Sequence, residues 1–120
     1  MIFGIGTDIV EIARIKKAIT NMAFLKRCYN QEEIKRCYEA GVNAVGRFAG
    51  YFAAKEAVAK ALGTGFRGFV PADIEIYYDD LKKPMARLAD CIKIADDCKI
   101  FISISHAREY ATAIAVISKE

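Results

Sequence analysis

The sequence predicts an α+β fold, in which a small antiparallel sheet packs on a long central helix. One observation is a helical pattern from about Asn43 to Leu62, where apolar residues recur at three- and four-residue intervals. The other is a pair of β-rich segments near the end of the chain, residues 99–105 and 110–117, which a short turn separates. These two segments predict a hairpin.

Length and composition limit the classes of protein to consider. The chain has 120 residues, of which 54% are apolar and 28% charged, so we expect one folded domain over residues 1–120. A net charge of +3 is too small to argue for nucleic acid. The opening residues lack a basic lead, and Asp8 and Glu11 interrupt their apolar run. We therefore expect no targeting segment or membrane span, and a cytoplasmic protein.

The cysteines predict free thiols rather than a metal site. Cys28, Cys37, Cys91 and Cys98 form no C-x-x-C pair, and His106 is the only histidine of the chain. A zinc ligand set is therefore incomplete.

The first predicted element is a short, β-branched strand over Ile2–Ile9. Two-residue alternation puts Gly4 and Gly6 on the same face as Asp8. Bare glycines beside a carboxylate leave room for another backbone, a metal or a ligand to approach. The alternative is that Asp8 caps the next helix.

Helical patterns continue through the first third of the chain. We expect helices over residues 11–19, 22–29 and 31–40, with Asn30 and Glu33 as a capping box for the third. Lysines and arginines concentrate in this third. Most charge runs of this size are solvated helix faces, so a binding role requires an acidic partner.

The long helix carries a carboxylate on its apolar side. Glu56 lies four residues after Phe52 and seven after Ala49, so it points towards a core, an interface or a lined cavity. Burying an ionised carboxylate is costly unless a cation, a metal or hydrogen bonds compensate it. Two interpretations stay open, namely an i,i+4 pair with Lys60 and a metal ligand.

Glycine is expected to end the long helix at Gly63-Thr64-Gly65. The glycine-rich segment that follows lacks the spacing of a P-loop or a dinucleotide fold. Beyond it we expect a strand over 73–78, a turn over 79–83, an extended segment at 83–85 and a short helix over 88–96.

Both faces of the predicted hairpin are poor in charge. Ile100, Ile102 and Ile104 share one face of the first strand, while Phe101 lies with two serines on the other. An antiparallel sheet with one solvated face alternates more cleanly. We therefore expect a helix or another subunit to cover the second face, and a homo-oligomer.

Three segments, in this order and across essentially the whole chain, resemble one family. GIGTDIVEI at the start, FAAKEAVAKALGTG in the middle and SISHAREYA near the end are similar to segments of holo-acyl-carrier-protein synthases, the small bacterial phosphopantetheinyl transferases. The resemblance implies an α+β fold, a homotrimer with active sites at subunit interfaces, and Mg²⁺. It also implies transfer of the 4'-phosphopantetheine arm of coenzyme A to a serine of apo acyl carrier protein, for fatty acid biosynthesis, with release of adenosine 3',5'-bisphosphate.

The resemblance further implies roles for single residues. Asp8 and Glu56 match the family's metal ligands, which suits Mg²⁺ because it binds one or two carboxylates together with phosphate and water. Lys60 matches a lysine that contacts the coenzyme A pyrophosphate, and it completes the implied catalytic set. The other implied coenzyme A contacts are Gly63, Thr64, Gly65, Lys83, Pro84, Ser105 and His106. For His106 the alternative is a histidine that only holds the hairpin turn.

Two positions depart from the family's pattern. Tyr51 stands where the family has a basic residue, which removes one expected nucleotide contact. Arg47, one helical turn earlier, is the cation that could replace it. Lys82 stands before Lys83-Pro84 where the family has glycine.

An acyl carrier protein is an acidic partner for the basic first third of the chain. The resemblance assigns carrier binding to Arg14, Lys17, Lys26 and Arg27. Such contacts act mainly on the encounter rate and weaken with salt.

Two other functions stay open. A magnesium-dependent phosphohydrolase would explain the carboxylates, and it differs in that water accepts the phosphoryl group. A non-catalytic module that binds an acidic protein would explain the basic helices but not Asp8 and Glu56. Magnesium binding that coenzyme A strengthens would count against this module.

Overall fold

Helices and strands form in the order that the hydrophobic pattern predicts, with one exception. The computed structural model describes residues 1–120. Its elements are β1 (Ile2–Glu11), α1 (Ile12–Ala18), α2 (Met22–Cys28), α3 (Gln31–Glu39), α4 (Ala44–Leu62), β2 (Ile74–Tyr78), β3 (Pro84–Leu88), β4 (Cys98–His106) and β5 (Tyr110–Lys119). No helix is both long and apolar enough to cross a membrane.

The main sheet is antiparallel, with strand order β1-β5-β4, and β2 pairs with β3 in a separate two-stranded sheet. The predicted hairpin is therefore confirmed. The buried face of β5 consists of Ala111, Ala113, Ala115 and Ile117, and α4 packs on it. Small side chains on this face let the helix approach the sheet closely.

The glycines of β1 make room for a backbone, which is one of the three options that the sequence left open. A Cβ atom added to Gly4 would lie 1.8 Å from the carbonyl oxygen of Ala61, and one added to Gly6 would lie 2.1 Å from that of Ala57. Neither position tolerates a side chain without displacing α4. The two glycines therefore fix the distance between β1 and α4.

Helix α4 is the centre of the core. It ends at Gly63, whose φ of 81° is the left-handed cap that the sequence predicts. The sequence predicted a single apolar stripe on this helix. The structure instead buries most of its residues. Phe52 and Glu56 are only half-buried, whereas the neighbouring Lys55 is completely buried.

The predicted capping box at the start of α3 is confirmed and is also part of the core. The Glu33 N–H donates to Asn30 Oδ1 at 2.8 Å, and the Asn30 N–H donates to Glu33 Oε1 at 2.9 Å. Glu33 also accepts from Lys55 Nζ at 2.7 Å and from the backbone N–H of Ile76 at 2.7 Å. One buried carboxylate thus joins α3, α4 and β2.

The prediction of a short helix over residues 88–96 is wrong. Leu88 pairs with Ile74 at the end of β3, and the N–H of Ala89 donates to the Asp73 carbonyl at 2.8 Å. The segment that follows contains only isolated turns before β4. Pairing with β2 removes the first residue of the predicted helix, and a short remaining segment does not offset the cost of helix nucleation.

All four cysteines are free, as the sequence predicts. Burial raises the pKa of the Cys28 thiol to about 11 and that of the Cys37 thiol to about 12. Both thiols therefore stay protonated near neutral pH and are chemically inert.

Candidate active site

The strand β1 and the helix α4 bring Asp8 and Glu56 to one side of the molecule. Lys60 Nζ donates to the Thr7 carbonyl at 2.9 Å and lies 3.4 Å from Asp8 Oδ1. Glu56 takes part in no ion pair or side-chain hydrogen bond, so the Glu56–Lys60 pair that the sequence allowed does not form. Asp8 does not cap α1 either, since Glu11 occupies the N-cap position.

The electrostatics of Glu56 favour an external cation. Partial burial raises the pKa of the Glu56 carboxyl, and the negative charge of Asp8 raises it further, whereas Lys60 and Arg14 oppose the shift. Lys60 therefore offsets only part of the repulsion between the two carboxylates.

The two carboxylates suit one kind of metal ion. No group of three or more Asp, Glu, His or Cys side chains is arranged to hold a metal. Zinc requires three or four such ligands, whereas Mg²⁺ is commonly bound by one or two carboxylates with substrate phosphates and waters. Asp8 and Glu56 therefore fit Mg²⁺ that is held jointly with a phosphate ligand.

A cavity of about 610 Å³ lies beside the first half of α4. Its lining includes two arginines, Arg47 and Arg108, together with Asn43 and His106, and it contains no aspartate or glutamate. Neither Arg47 nor Arg108 takes part in any ion pair of the structure. A cavity with unpaired guanidinium groups and no carboxylate is suited to an anionic ligand.

His106 connects the hairpin to the helix at this cavity. Its Nε2 lies 2.9 Å from the Gly46 carbonyl oxygen, and because a carbonyl only accepts, Nε2 carries the proton and donates it. A Cβ atom at Gly50 would lie 2.7 Å from the same nitrogen. His106 thus contacts α4, which does not support the alternative in which it only holds the hairpin turn.

Two tyrosines contribute to the lining of the cavity. Tyr51 and Tyr78 both line it, and the Arg47 guanidinium lies 5.8 Å from the centre of the Tyr78 ring. Arg36 Nη1 donates to the Tyr51 hydroxyl at 3.1 Å and to the Ile76 carbonyl at 2.8 Å. The tyrosine that replaces the family's basic residue is therefore bonded to an arginine of α3.

The structure brings some of the other predicted coenzyme A contacts to this cavity and not others. Pro84 lines it. Lys83 does not, and its Nζ lies 5.6 Å from the centre of the Phe101 ring. Ser105 pairs with Thr112 on the exposed side of the sheet. Lys82, at the family's glycine position, has a φ of 65°, which explains why glycine suits that turn.

The predicted glycine contacts lie at the far end of α4. Gly63, Thr64 and Gly65 follow the helix directly, and the Gly65 N–H donates to the Ala59 carbonyl at 3.3 Å. Thr64 lines a second cavity, of about 430 Å³, together with Leu62 and Phe69. None of the three glycine-segment residues lines the cavity that contains Arg47 and His106.

The four predicted carrier contacts are exposed on the first two helices. Arg14 and Lys17 lie on α1, while Lys26 and Arg27 lie in the last turn of α2. Arg14 is close enough to Glu56 to lower its pKa, so the basic surface begins beside the carboxylates.

Sequence reasoning missed three residues of the site and its support. Arg108 and Tyr78 line the cavity, and Lys55 is the buried partner of Glu33. Arg108 lies in the SISHAREYA segment, so its position two residues after His106 was a usable signal. Nothing in the local sequence marks Tyr78 or Lys55, because their contacts come from residues far away in the chain.

The predicted site residues occupy two separate positions on one helix. Arg47 and Glu56 are separated by about 13 Å of helix axis, at about 1.5 Å per residue. A guanidinium cavity lies near one end, and a pair of carboxylates with a lysine lies beyond it. Nine residues also correspond to about two and a half turns, so Arg47 and Glu56 project from opposite sides of α4.

The chain is similar over nearly its whole length to a family of known proteins. The model of the 4'-phosphopantetheinyl transferase superfamily matches residues 4–115. A holo-(acyl-carrier-protein) synthase of Clostridium botulinum (strain Eklund 17B / Type B) is 52% identical over 121 residues, which cover 98% of each chain. The corresponding enzyme of Fusobacterium nucleatum is 47% identical and covers 98% of this chain and 99% of its own.

Solved structures give the same result. A holo-(acyl-carrier-protein) synthase of Bacillus anthracis str. Ames, solved in complex with CoA (3',5'-ADP), superimposes with a TM-score of 0.85 at 35% identity. The match covers 100% of this chain and 99% of that one. The α+β fold is therefore shared, and the chain belongs to the holo-(acyl-carrier-protein) synthases of the 4'-phosphopantetheinyl transferase superfamily.

Proposed function

We propose that this protein transfers the 4'-phosphopantetheine arm of coenzyme A to a serine of an apo acyl carrier protein, leaving adenosine 3',5'-bisphosphate. The observation that carries the proposal is that helix α4 contributes to two features. One is the cavity that contains Arg47 and Arg108 and no carboxylate, and the other is the carboxylate pair of Asp8 and Glu56. Family membership supports the same reaction.

Coenzyme A would bind with its nucleotide in the cavity. The Bacillus anthracis relative was solved in complex with CoA (3',5'-ADP). About 13 Å of helix separates Arg47 from Glu56, so one pyrophosphate cannot contact both. Arg47 and Arg108 would therefore bind the phosphate on the ribose, leaving the pyrophosphate to Lys60 and the carboxylates of a neighbouring subunit.

The carboxylate end would carry out the transfer. Asp8 and Glu56 would hold Mg²⁺, which supplies charge neutralisation at the pyrophosphate. Lys60, whose side chain is 55% exposed while bonded to Asp8, has donor capacity left for the leaving phosphate. The carrier serine oxygen would attack the β-phosphorus, the bond from that phosphorus to the oxygen bridging the two phosphates would break, and the serine proton would be lost to water.

The decisive experiment follows the mass of the carrier. We expect purified protein, coenzyme A, Mg²⁺ and an apo acyl carrier protein to give a carrier that is heavier by one phosphopantetheine. Asp8→Asn or Glu56→Gln should reduce the rate at least ~100-fold, comparable to losing one strong electrostatic catalytic contact. Glu39→Gln, an exposed carboxylate of α3, is the matched control and should keep the parental rate.

Two results would contradict the proposal. Release of phosphopantetheine to water without labelling of the carrier would indicate a phosphohydrolase. If Glu56→Gln transferred the arm at the parental rate, Glu56 would not be a metal ligand.

We also infer that Arg14 and Lys17 bind the acidic carrier, because both are exposed on α1 and Arg14 lies near Glu56. Reversing both charges, with Arg14→Glu and Lys17→Glu, should raise the Michaelis constant for the carrier at least ~10-fold more than that for coenzyme A. Raising the salt concentration should narrow this difference, because salt screens exposed charges. Equal effects on both substrates would exclude the docking role.

A homotrimer with shared active sites is the assembly that we propose. Lys83 and Ser105, which the family resemblance assigns to coenzyme A, do not line the cavity of their own chain. Ser105 is exposed on the open side of the main sheet, and Lys83 lies against Phe101, which is on the same side. A neighbouring subunit packed there would let both residues reach its site.

A further inference from the structure

We propose that Arg36 is a positioning residue for the nucleotide cavity. It holds Tyr51 and Tyr78 as the wall against which Arg47 stacks, and it thereby sets the preference for a ribose 3'-phosphate without contacting the ligand. The inference rests on the proposed function, because that function assigns a nucleotide to the cavity.

Tyr78 lies in a small sheet that α3 holds in place. Strands β2 and β3 form a two-stranded sheet, and such a sheet is only marginally stable by itself. Two side chains of α3 bind both polar groups of the Ile76 backbone. Glu33 Oε2 accepts from its N–H at 2.7 Å, and Arg36 Nη1 donates to its carbonyl at 2.8 Å. Helix α3 therefore fixes the position of β2.

Arg36 also contacts both tyrosines of the cavity. The same Nη1 of Arg36 donates to the Tyr51 hydroxyl at 3.1 Å. The Arg36 guanidinium lies 5.9 Å from the centres of both the Tyr51 and Tyr78 rings. Tyr51 is 1% exposed and cannot move without disturbing the core. Arg36 thus joins the buried Tyr51 of α4 to the strand that bears Tyr78.

Arg47 is the cavity arginine that packs against Tyr78. Arg47 makes no ion pair, and its contact on the cavity wall is the Tyr78 ring, 5.8 Å from its guanidinium carbon. An arginine that is stacked beforehand loses less conformational freedom when it binds a phosphate. Arg36 does not line the cavity, so its influence on phosphate binding passes through Tyr78 and Arg47.

The test measures nucleotide binding by calorimetry and needs no turnover. Adenosine 3',5'-bisphosphate and adenosine 5'-monophosphate differ only in the ribose 3'-phosphate. The ratio of their dissociation constants therefore measures the preference of the cavity for that phosphate. We expect the parent to favour the bisphosphate and Arg36→Met to reduce that preference about tenfold, equivalent to about 1.4 kcal/mol. Lys35→Met, an exposed neighbour on α3, is the matched control and should keep the parental ratio.

Kinetics and a second variant separate positioning from mere stability. In the transfer assay, Arg36→Met should raise the Michaelis constant for coenzyme A while kcat stays within about twofold of the parent, because a uniform binding interaction is lost. A loss of active protein would instead lower kcat equally for coenzyme A and for dephospho-coenzyme A. That result, with an unchanged nucleotide ratio, would overturn the inference.

Tyr51→Phe keeps the ring and removes only the oxygen that Arg36 contacts. It should reduce the bisphosphate preference in the same direction and by less than Arg36→Met. If Arg36→Met does not fold, a parental ratio in Tyr51→Phe overturns the inference. A parent that binds both nucleotides equally overturns it too, whereas a parent that shows the preference but transfers nothing contradicts only the proposed function.

Discussion

Glu33 and Glu56 show how burial and hydrogen bonding give two carboxylates different roles. Glu33 is completely buried, and it accepts from Lys55 Nζ and from two backbone N–H groups. Glu56 is half-buried and accepts no hydrogen bond from any protein group. A carboxylate whose lone pairs are used inside the fold is structural, whereas one left without donors is available to a ligand or a metal.

The sequence predicted these two residues to different extents. It indicated Glu56 because a carboxylate among apolar residues of a long helix is costly. It indicated Glu33 only as a capping residue, since the capping box is a local pattern. The link from Glu33 to Lys55 and Ile76 joins three elements that lie far apart in the chain, and no local pattern encodes it.

Removing the Glu56 charge should stabilise the metal-free protein at neutral pH. The folded pKa of Glu56 is raised above its ordinary value of 4.5, so the unfolded chain ionises first as the pH rises. The folded protein therefore loses stability as the pH rises from 4.5 to the raised pKa of Glu56. Above that pH its stability stays reduced. With chelator present, we expect Glu56→Gln to melt above the parent at pH 7, and the gap to close near pH 4.

The control for this comparison is Glu39→Gln, whose carboxylate is exposed on α3. Its melting temperature should follow that of the parent at both pH values. A Glu56→Gln variant that melts below the parent at pH 7 would mean that the ionised carboxylate has a stabilising partner in the folded chain.

At the scale of elements, the packing of β1 on α4 determines the carboxylate geometry. The sequence predicted both elements, because alternation and helical periodicity are local, and it indicated a close approach at Gly4 and Gly6. It did not indicate that the backbone of α4 is the group that approaches these glycines. The failed helix over residues 88–96 has the same origin, since pairing of Leu88 with Ile74 depends on a strand elsewhere in the chain.

Adding one methyl group at Gly6 should destabilise the fold. The new Cβ would lie 2.1 Å from the Ala57 carbonyl oxygen, and a backbone atom inside a helix cannot move aside cheaply. We expect Gly6→Ala to lose about 1–3 kcal/mol of unfolding free energy, the usual cost of overpacking, as measured by urea denaturation. The separation of Asp8 from Glu56 should change as well, so transfer activity should fall in the folded fraction.

Gly46→Ala is the matched control, because its added Cβ would lie 3.9 Å from the nearest atom, His106 Cδ2. Alanine in a helix interior is favoured over glycine, so this variant should be as stable as the parent or more stable by up to about 1 kcal/mol. An unchanged urea midpoint for Gly6→Ala would show that β1 and α4 can separate without cost.

At the scale of the whole molecule, one face of the main sheet has no cover. Helix α4 packs on one side, and the other side exposes large apolar residues of all three strands. These exposed residues are Phe3, Ile5, Ile9, Phe101, Tyr110 and Ile114. The sequence predicted a second covered face from the lack of charge in the hairpin, but a single chain provides only one helix long enough to cover a face.

The proposed homotrimer should depend on this exposed apolar face. Ile5 is 60% exposed in the single chain and lies opposite Val116 on β5. Placing a carboxylate there would put an unpaired charge into the subunit interface, which is strongly unfavourable. By light scattering, the parent should show a mass three times that of the 13.3 kDa chain, and Ile5→Glu should show the mass of one chain.

Met22→Glu, at 61% exposure on α2, introduces the same charge away from the sheet and should leave the trimer intact. Because Lys83 and Ser105 would serve a neighbouring site, monomeric Ile5→Glu should also lose most transfer activity while keeping its helical circular dichroism. A monomeric parent at working concentrations, or a fully active monomeric Ile5→Glu, would show that each chain has a complete site of its own.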